Sequence, residues 1–191
     1  MTRMALDILR RRGVDVLVYG AGTSLDNHHI LALPAVQHVA VGDIVGERTD
    51  MEYHDLNQPA TRRFDIVIAS EVIEHFRDPI ANFERLFQFV ARDGLLVCGT
   101  SLRGPGRLAG QRYLFYRDHT SLYSPESLPQ IAARFGHHVD FRPLAGFGAR
   151  KRYVFFARSR GVMDDVIRYF GWTPYAPSEL TLSGSADVRS T

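Results

Sequence analysis

The sequence predicts a doubly wound α/β fold, in which a largely parallel β-sheet is covered by helices on both faces. Apolar runs typical of strands alternate with segments of helical periodicity along most of the chain. The run FDIVIAS at 64–70 is apolar almost throughout, as in a parallel strand that is buried on both faces. A turn with two glycines, YGAGTS at 19–24, follows the first strand, where such sheets bind ligands.

The strands are assigned to runs of β-branched and aromatic residues that end at glycine or polar residues. The parallel strands are predicted at 14–20, 37–44, 51–56, 64–70 and 95–101. Two further strands, at 137–144 and 152–159, are joined by a short connection. This connection favours an antiparallel pair at the C-terminal end, at or near one edge of the sheet.

The helices are assigned to segments in which apolar residues recur every three or four positions. They are predicted at 2–12, 25–33, 80–94, 124–136 and 163–172. Ser24 is expected to cap the second helix, and Ser124, followed by Pro125, the fourth. Gly94 is expected at the end of the third.

Length and composition indicate one globular domain. The chain has 191 residues, of which 45% are hydrophobic and 23% charged, as in ordinary soluble proteins. Because no internal repeat or linker interrupts it, we predict a single domain over 1–172 and a loop-like tail over 173–191. No apolar stretch is long enough to span a bilayer, and the N-terminal segment lacks the apolar core of a signal peptide. We therefore expect a cytoplasmic protein without a membrane span.

The charge pattern does not predict a nucleic-acid partner. The net charge is only +2, and Lys151 is the only lysine, so the basic residues are almost all arginines. We interpret this as codon usage in a GC-rich genome. The basic clusters at 10–12 and 150–152 flank strands and are expected to be solvated ends of elements.

The cysteine and histidine content predicts neither a disulfide nor a metal site. Cys98 is the only cysteine and lies in an apolar run, so we expect a buried structural thiol. The histidine pairs at 28–29 and 137–138 have no partners at metal-ligand spacing.

The glycine turn raises the question of which cofactor it binds. Gly20 and Gly22 allow the backbone to approach a ligand closely, although such a turn can also be purely structural. A dinucleotide turn requires a small residue at position 25, where this chain has leucine, and no P-loop motif is present. These observations count against NAD or FAD as the cofactor and against a P-loop nucleotide site. S-adenosylmethionine (SAM), which has no pyrophosphate, is the alternative.

Five segments, in order along the chain, resemble motifs of the class I SAM-dependent methyltransferases, which have a Rossmann-like fold. They lie within residues 16–101 and read VLVYGAGTS, VAVGDIV, YHDLNQP, FDIVIASEVIEHFRDP and LFQFVARDGLLVCGTS. The fourth is the most specific and resembles the subgroup with an EVIEHF-type motif. The resemblance implies a SAM-dependent methyltransferase with SAM as its cofactor.

The resemblance also implies roles for particular residues in cofactor binding. Asp43 would accept the ribose hydroxyls, or else cap a local turn. Asp55 would accept the adenine amino group, or else be an ordinary loop acid, and Leu56 would pack on the ring. Ser70 and Glu71 would line the methionine end of the cofactor. The full implied set is Tyr19, Gly20, Ala21, Gly22, Asp43, Asp55, Leu56, Ser70 and Glu71.

The chain departs from the family pattern at two positions in the glycine turn. Val18 stands where the family usually has an acid that organises the methionine end of the cofactor, and Ser24 replaces a third glycine. The departures bear on the affinity for SAM, and leave the predicted fold unchanged.

The acceptor side is expected between the fifth strand and the fourth helix. Methyl transfer from a sulfonium needs mainly alignment, and a general base only when the acceptor is protonated. Related methyltransferases carry an Asp-x-Thr element with aromatic residues here, which implies Asp118 and Thr120 as substrate-binding residues. Tyr116 would stack on an acceptor ring, or else only cover the sheet edge. His119 is the first candidate for the base and His75 the second. In the alternative interpretation, these polar residues only hold the loop in place.

The resemblance implies a small-molecule, sugar or glycan, or secondary-metabolite acceptor, in a bacterial context and with O-methylation favoured. The segment ahead of the first strand is short, which implies an open site, a large acceptor, or a lid from a homodimer or a partner subunit. The alternative function is a non-catalytic, methyltransferase-like partner subunit with weak or no SAM binding. An NAD-dependent enzyme is the third.

Overall fold

The computed structural model describes residues 1–24, 27–46, 48–103, 113, 116–143 and 151–171. The predicted tail at 173–191 and Leu25, on which the argument against NAD depends, lie outside these residues. The bounds of the predicted domain therefore stay a prediction.

The described residues form seven strands, five α-helices and one 3₁₀ turn. The strands are β1 (Val14–Tyr19), β2 (Val36–Asp43), β3 (Glu52–Asp55), β4 (Phe64–Ser70), β5 (Val90–Ser101), β6 (His138–Pro143) and β7 (Lys151–Ala157). The helices are α1 (Thr2–Leu9), α2 (His28–Leu31), α3 (Pro79–Gln88), α4 (Ser127–Arg134) and α5 (Arg160–Phe170), and the 3₁₀ turn is Ile73–His75.

The strands form one mixed sheet in the order β3-β2-β1-β4-β5-β7-β6. The pairs from β3 to β5 are parallel, whereas β7 runs antiparallel to both β5 and β6. The predicted doubly wound, Rossmann-like fold with its antiparallel C-terminal strands is confirmed. The strand order reverses between β1 and β4, and ligands of such sheets bind at the carboxyl ends of these strands.

The alternation of side chains along the central strands builds a core on each face of the sheet. On β4, Val67 and Ala69 join a cluster with α3 and α4, whereas Ile66 and Ile68 join a second cluster with α1 and α5. Cys98 is fully buried in the first cluster, and this burial raises the pKa of its thiol. The expected structural thiol is confirmed. Among the described helices, none is long and apolar enough to cross a membrane.

The third helix ends earlier than its periodicity predicts. It ends at Gln88 because Val90 already pairs with Phe64 of β4, whose N–H donates to the Phe89 carbonyl at 2.7 Å. The prediction that Gly94 ends a helix is wrong. A Cβ on Gly94 would lie 2.9 Å from the carbonyl oxygen of Phe64, so this glycine allows two strands to approach closely.

Two predicted helix caps also differ from the structure. The short α2 has Asn27 as its N-cap, and the Asn27 side chain donates to the carbonyl oxygen of Ser24 at 3.1 Å. Helix α4 begins at Ser127, with Glu126 as its N-cap. The Ser124 hydroxyl still accepts from the Ser127 N–H at 3.2 Å, so it closes the turn ahead of the helix.

Candidate active site

The glycine turn joins β1 to the neighbouring strand ends. Gly20 and Gly22 have φ values of +70° and +53°, which favour glycine. The N–H groups of Gly20 and Ala21 donate to the carbonyl oxygen of Gly42 at 2.8 and 3.1 Å. A Cβ on Gly20 would lie 2.6 Å from a methyl carbon of Val72, whereas one on Gly22 would meet nothing within 4 Å. The turn is therefore packed tightly at Gly20 and open at Gly22.

Asp43, at the carboxyl end of β2, holds this turn in place. Its carboxylate accepts hydrogen bonds from the N–H groups of Gly22 (2.7 Å), Ile44 (2.7 Å) and Val45 (3.0 Å). A carboxylate has about four acceptor positions, so these donors leave room for a further hydrogen bond. Asp43 therefore caps the local turn, as one of the two interpretations expects, and its carboxylate also lies at the ligand-binding edge of the sheet.

Asp55 lies beside Asp43 in the register of β2 and β3, so the structure brings the two acids together. The backbone and side-chain N–H groups of Asn57 each donate to Asp55 at 2.9 Å and hold the pKa of Asp55 below its ordinary value. Leu56 is only 1% exposed and packs against Gly42, so its side chain lies in the core.

The exposed apolar side chains beside Asp43 are Ile44 and Val45, which are 62% and 78% exposed. Sequence reasoning missed them, although two consecutive apolar residues directly after a strand-ending acid are a recognisable signal.

The end of β4 contributes Ser70 and Glu71, both exposed. Glu71 has a φ of +54°, donates its N–H to the carbonyl oxygen of Gly99 at 2.8 Å, and forms an ion pair with Lys151. Tyr19 differs, since its side chain is only 4% exposed and burial raises its pKa to about 12. The side chain of Tyr19 is thus a core group, and only its backbone lies at the turn.

The two candidate bases lie together on the acceptor side. The rings of His75 and His119 are 4.9 Å apart between centroids, at an interplanar angle of 83°. His75 Nδ1 is 2.9 Å from the carbonyl oxygen of Asp118, and His119 Nδ1 is 2.8 Å from that of Tyr113. Because a carbonyl oxygen only accepts, Nδ1 is the donor in each ring, and Nε2 of the neutral ring keeps its lone pair.

Two tyrosines complete an aromatic cluster around His119. The ring centroids of Tyr113 and Tyr116 lie 4.3 and 5.3 Å from that of His119. Tyr116 is 61% exposed, so its ring is open to a ligand. Asp118 and Thr120 are also exposed and flank His119 in the chain.

Glu74 is a buried acid that lies between the cofactor edge of the sheet and the acceptor loop. It is 1% exposed, and its carboxylate accepts from the hydroxyls of Thr100, at 3.1 Å, and Tyr113. Its carbonyl oxygen accepts the N–H groups of Thr120 and Ser121, each at 2.9 Å. Burial, and then the bond to Glu74, raise the pKa of Tyr113 to about 12. Glu74 therefore fixes the acceptor loop by both its side chain and its backbone.

The family of the chain is decided by its sequence over most of its length. A family model described as a methyltransferase domain matches residues 2–140. This chain belongs to the methyltransferase domain family. No curated protein matches the sequence of this methyltransferase significantly.

Solved structures of similar fold include several methyltransferases. DhpI in complex with S-adenosylhomocysteine (SAH) is 20% identical, with 83% of this chain and 84% of that chain covered and a TM-score of 0.58. A Burkholderia thailandensis 1,6-didemethyltoxoflavin N1-methyltransferase is 18% identical over 83% and 76%, with a TM-score of 0.59. A Haloferax volcanii complex of a putative methyltransferase with the activator Trm112 is 10% identical over 84% and 92%, with a TM-score of 0.62. At these identities the likeness shows the fold.

Family and fold together confirm the prediction of a class I SAM-dependent methyltransferase with SAM as its cofactor. The EVIEHF-type subgroup and the roles of the individual site residues stay predictions. The structure brings Gly20, Gly22, Asp43 and Asp55 to one edge of the sheet, and His75 and His119 to the adjacent loop.

Loss of the Glu74 charge is expected to destabilise the methyltransferase. In the wild-type protein, the hydroxyls of Thr100 and Tyr113 donate to the buried Glu74 carboxylate. Glu74→Gln replaces this carboxylate by an amide, so these charge-assisted hydrogen bonds are lost and the free energy of unfolding falls by about 1–3 kcal/mol. Urea denaturation measures this change. Glu84→Gln, on the exposed side of α3, is the matched control and should change stability by less than about 0.5 kcal/mol. Equal effects of the two variants would show that the buried network contributes nothing.

Proposed function

We propose that this chain is an active methyltransferase that transfers the methyl group of SAM to a hydroxyl of a small-molecule or glycan acceptor. The observation that carries the proposal is the orientation of His119, whose Nδ1–H is held by the Tyr113 carbonyl and whose Nε2 keeps its lone pair. A neutral imidazole in this state can accept the proton of a hydroxyl.

The residues at the sheet edge fit SAM. The open face of Gly22 allows the adenosine to approach the backbone of Tyr19, Gly20 and Ala21. Asp43 keeps an acceptor position for the ribose hydroxyls, and Asp55 for the adenine amino group. When bound, SAM supplies a methyl group that is already activated by its sulfonium.

The adenine ring requires an apolar neighbour, and Ile44 is the side chain we propose for it. Ile44 is 62% exposed directly after Asp43, whereas Leu56 offers almost no accessible surface. In this proposal Leu56 is a core residue instead: its side chain packs against Gly42 and fills the space that a side chain at position 42 would occupy.

The acceptor lies, in this proposal, between the end of β4 and the loop at 116–120. The exposed ring of Tyr116 provides an apolar contact, and Asp118 and Thr120 provide polar contacts beside it. His119 Nε2 would take the proton of the acceptor hydroxyl, and the hydroxyl oxygen would receive the methyl group that SAM would supply, with SAH as the product. His75, fixed by the Asp118 carbonyl, lies against His119 and is the second candidate for this step.

Neighbouring folds support a small-molecule acceptor. The Burkholderia thailandensis enzyme contains 1,6-didemethyltoxoflavin with SAH, and the plantazolicin methyltransferase BpumL contains a desmethylplantazolicin analogue with SAH. The preference for a hydroxyl acceptor comes from the histidine geometry. The rival function, a non-catalytic partner subunit, is favoured by Val18, which is half-buried where the family usually has an acid. The proposal also includes a lid over the acceptor, supplied by a second copy of this chain or by a partner subunit.

Titration with SAH tests the proposal, and Asp43→Ala tests the placement of the ribose. We expect micromolar binding of SAH and no binding of NAD by isothermal titration calorimetry. Asp43→Ala should weaken SAH binding roughly 10- to 100-fold, because it removes a charge-assisted hydrogen bond and the link to Gly22.

The matched control is Asp93→Ala, which removes an exposed acid at the amino end of β5 and should leave the affinity unchanged. Failure of the wild-type protein to bind SAH would favour the partner-subunit function. Equal affinities of wild type and Asp43→Ala would exclude the proposed ribose contact.

A further inference from the structure

The only lysine of the chain lies at the cofactor edge of the sheet. Lys151 is the first residue of β7 and pairs in register with Ser101, the last residue of β5. Its Nζ forms an ion pair with the carboxylate of Glu71. The side chains of Lys151 and Glu71 are 19% and 43% exposed, so the pair is partly open to a ligand.

The backbone around Glu71 ties this ion pair to the glycine turn. Glu71 adopts a φ of +54°, a conformation that non-glycine residues rarely adopt and that is common at binding sites. Its N–H is held by the carbonyl oxygen of Gly99, and the next residue, Val72, packs against Gly20. The ion pair is therefore held in a defined position beside the cofactor turn.

The end of β1 carries no charged side chain, since its last two residues are Val18 and Tyr19. The amino-acid end of SAM carries an α-ammonium and an α-carboxylate, and Val18 can bind neither. Val18 pairs with Ile68 of β4, two residues before Ser70 and three before Glu71. Glu71, directly after β4, and Lys151, which pairs in register with the last residue of β5, form an ion pair at this edge of the sheet.

We propose that the Glu71–Lys151 pair binds the amino-acid end of SAM. The Glu71 carboxylate accepts hydrogen bonds from the α-ammonium, and the Lys151 ammonium donates to the α-carboxylate. Each charge then keeps an opposite charge beside it when ligand binding removes water, which limits the penalty of desolvation. The pair supplies the charges that the apolar side chain of Val18, at the end of β1, does not. This inference rests on the proposed function, since it requires SAM in the crevice.

Comparison of two ligands isolates this contact from the rest of the site. SAH contains the amino-acid group, whereas 5′-methylthioadenosine contains the same adenosine and a thioether without it. Lys151→Met should weaken SAH binding roughly 10- to 100-fold and change methylthioadenosine binding by less than about threefold. Lys151→Arg, which keeps the charge, should recover most of the SAH affinity. Arg92→Met, an exposed arginine at the amino end of β5, should change neither ligand.

A charge-reversed double variant separates ligand binding from a purely structural ion pair. Glu71→Lys combined with Lys151→Glu restores an ion pair but reverses its polarity towards the ligand. We expect near-normal methylthioadenosine binding with SAH still weakened. Restored SAH binding in this variant, or equal loss of both ligands in Lys151→Met, would overturn the inference. Wild-type protein that binds methylthioadenosine but not SAH would also overturn it, whereas binding of neither ligand would remove the proposed function itself.

Discussion

Gly20→Ala is expected to abolish measurable SAH binding and to lower the free energy of unfolding by about 2–4 kcal/mol. The added Cβ would lie 2.6 Å from a methyl carbon of Val72, and the backbone at φ +70° disfavours any side chain. Relief of the clash requires the turn to move away from the end of β4. Such movement would also displace Gly22 from Asp43, with which it shares a 2.7 Å hydrogen bond.

Gly22→Ala is the matched control for this prediction. It has a φ of +53° but no atom within 4 Å of the added Cβ, so it should lower stability by only about 1 kcal/mol. Urea denaturation and calorimetry with SAH measure both effects. A second substitution, Val72→Ala, should restore part of the stability of Gly20→Ala. Similar stabilities of the two glycine variants would show that the contact with Val72 carries no energy.

His119→Ala is expected to reduce turnover of a hydroxyl acceptor by about 100- to 10,000-fold, the usual contribution of a general base. The affinity for SAH should stay unchanged, because His119 lies on the acceptor loop. A screen of phenols and sugars for transfer of radiolabelled methyl groups from SAM identifies an acceptor. The rate of methyl transfer to the best acceptor is then compared between wild type and His119→Ala.

His38→Ala and His75→Ala complete the experiment. His38 is exposed on β2 away from the acceptor loop and should keep full turnover. His75 packs against His119 at 4.9 Å, so its loss should reduce turnover less than the loss of His119. Full turnover in His119→Ala together with a large loss in His75→Ala would reverse the two roles.

The central strands and the glycine turn could be predicted from local patterns. FDIVIAS is apolar because both of its faces are buried, and each face joins a different core. Gly20, Gly22 and Asp43 follow strands directly, and parallel strands bring their carboxyl ends to one edge. Proximity in the sheet therefore follows from position along the chain for these residues.

The limits of helices and the direction of side chains could not be predicted in this way. The sequence pattern around Val90 is compatible with the end of a helix and with the start of a strand. Val90 belongs to the strand because it pairs with Phe64 of β4. Leu56 and Tyr19 lie beside the predicted cofactor site in the sequence, and the sequence does not show whether their side chains face the ligand or the core. Packing against Gly42 and Phe89 turns both side chains into the core.

The sequence by itself determined the fold class of this methyltransferase and the edge of the sheet where its cofactor binds. Strand periodicity and glycine turns involve only a few neighbouring residues, so both can be recognised in a short stretch of sequence. Only the tertiary structure decided which polar and charged side chains meet. Glu74 reaches Thr100 and Tyr113, and Glu71 reaches Lys151, across long separations in sequence. Such contacts depend on the order of strands in the sheet and on burial, which no short stretch of sequence contains.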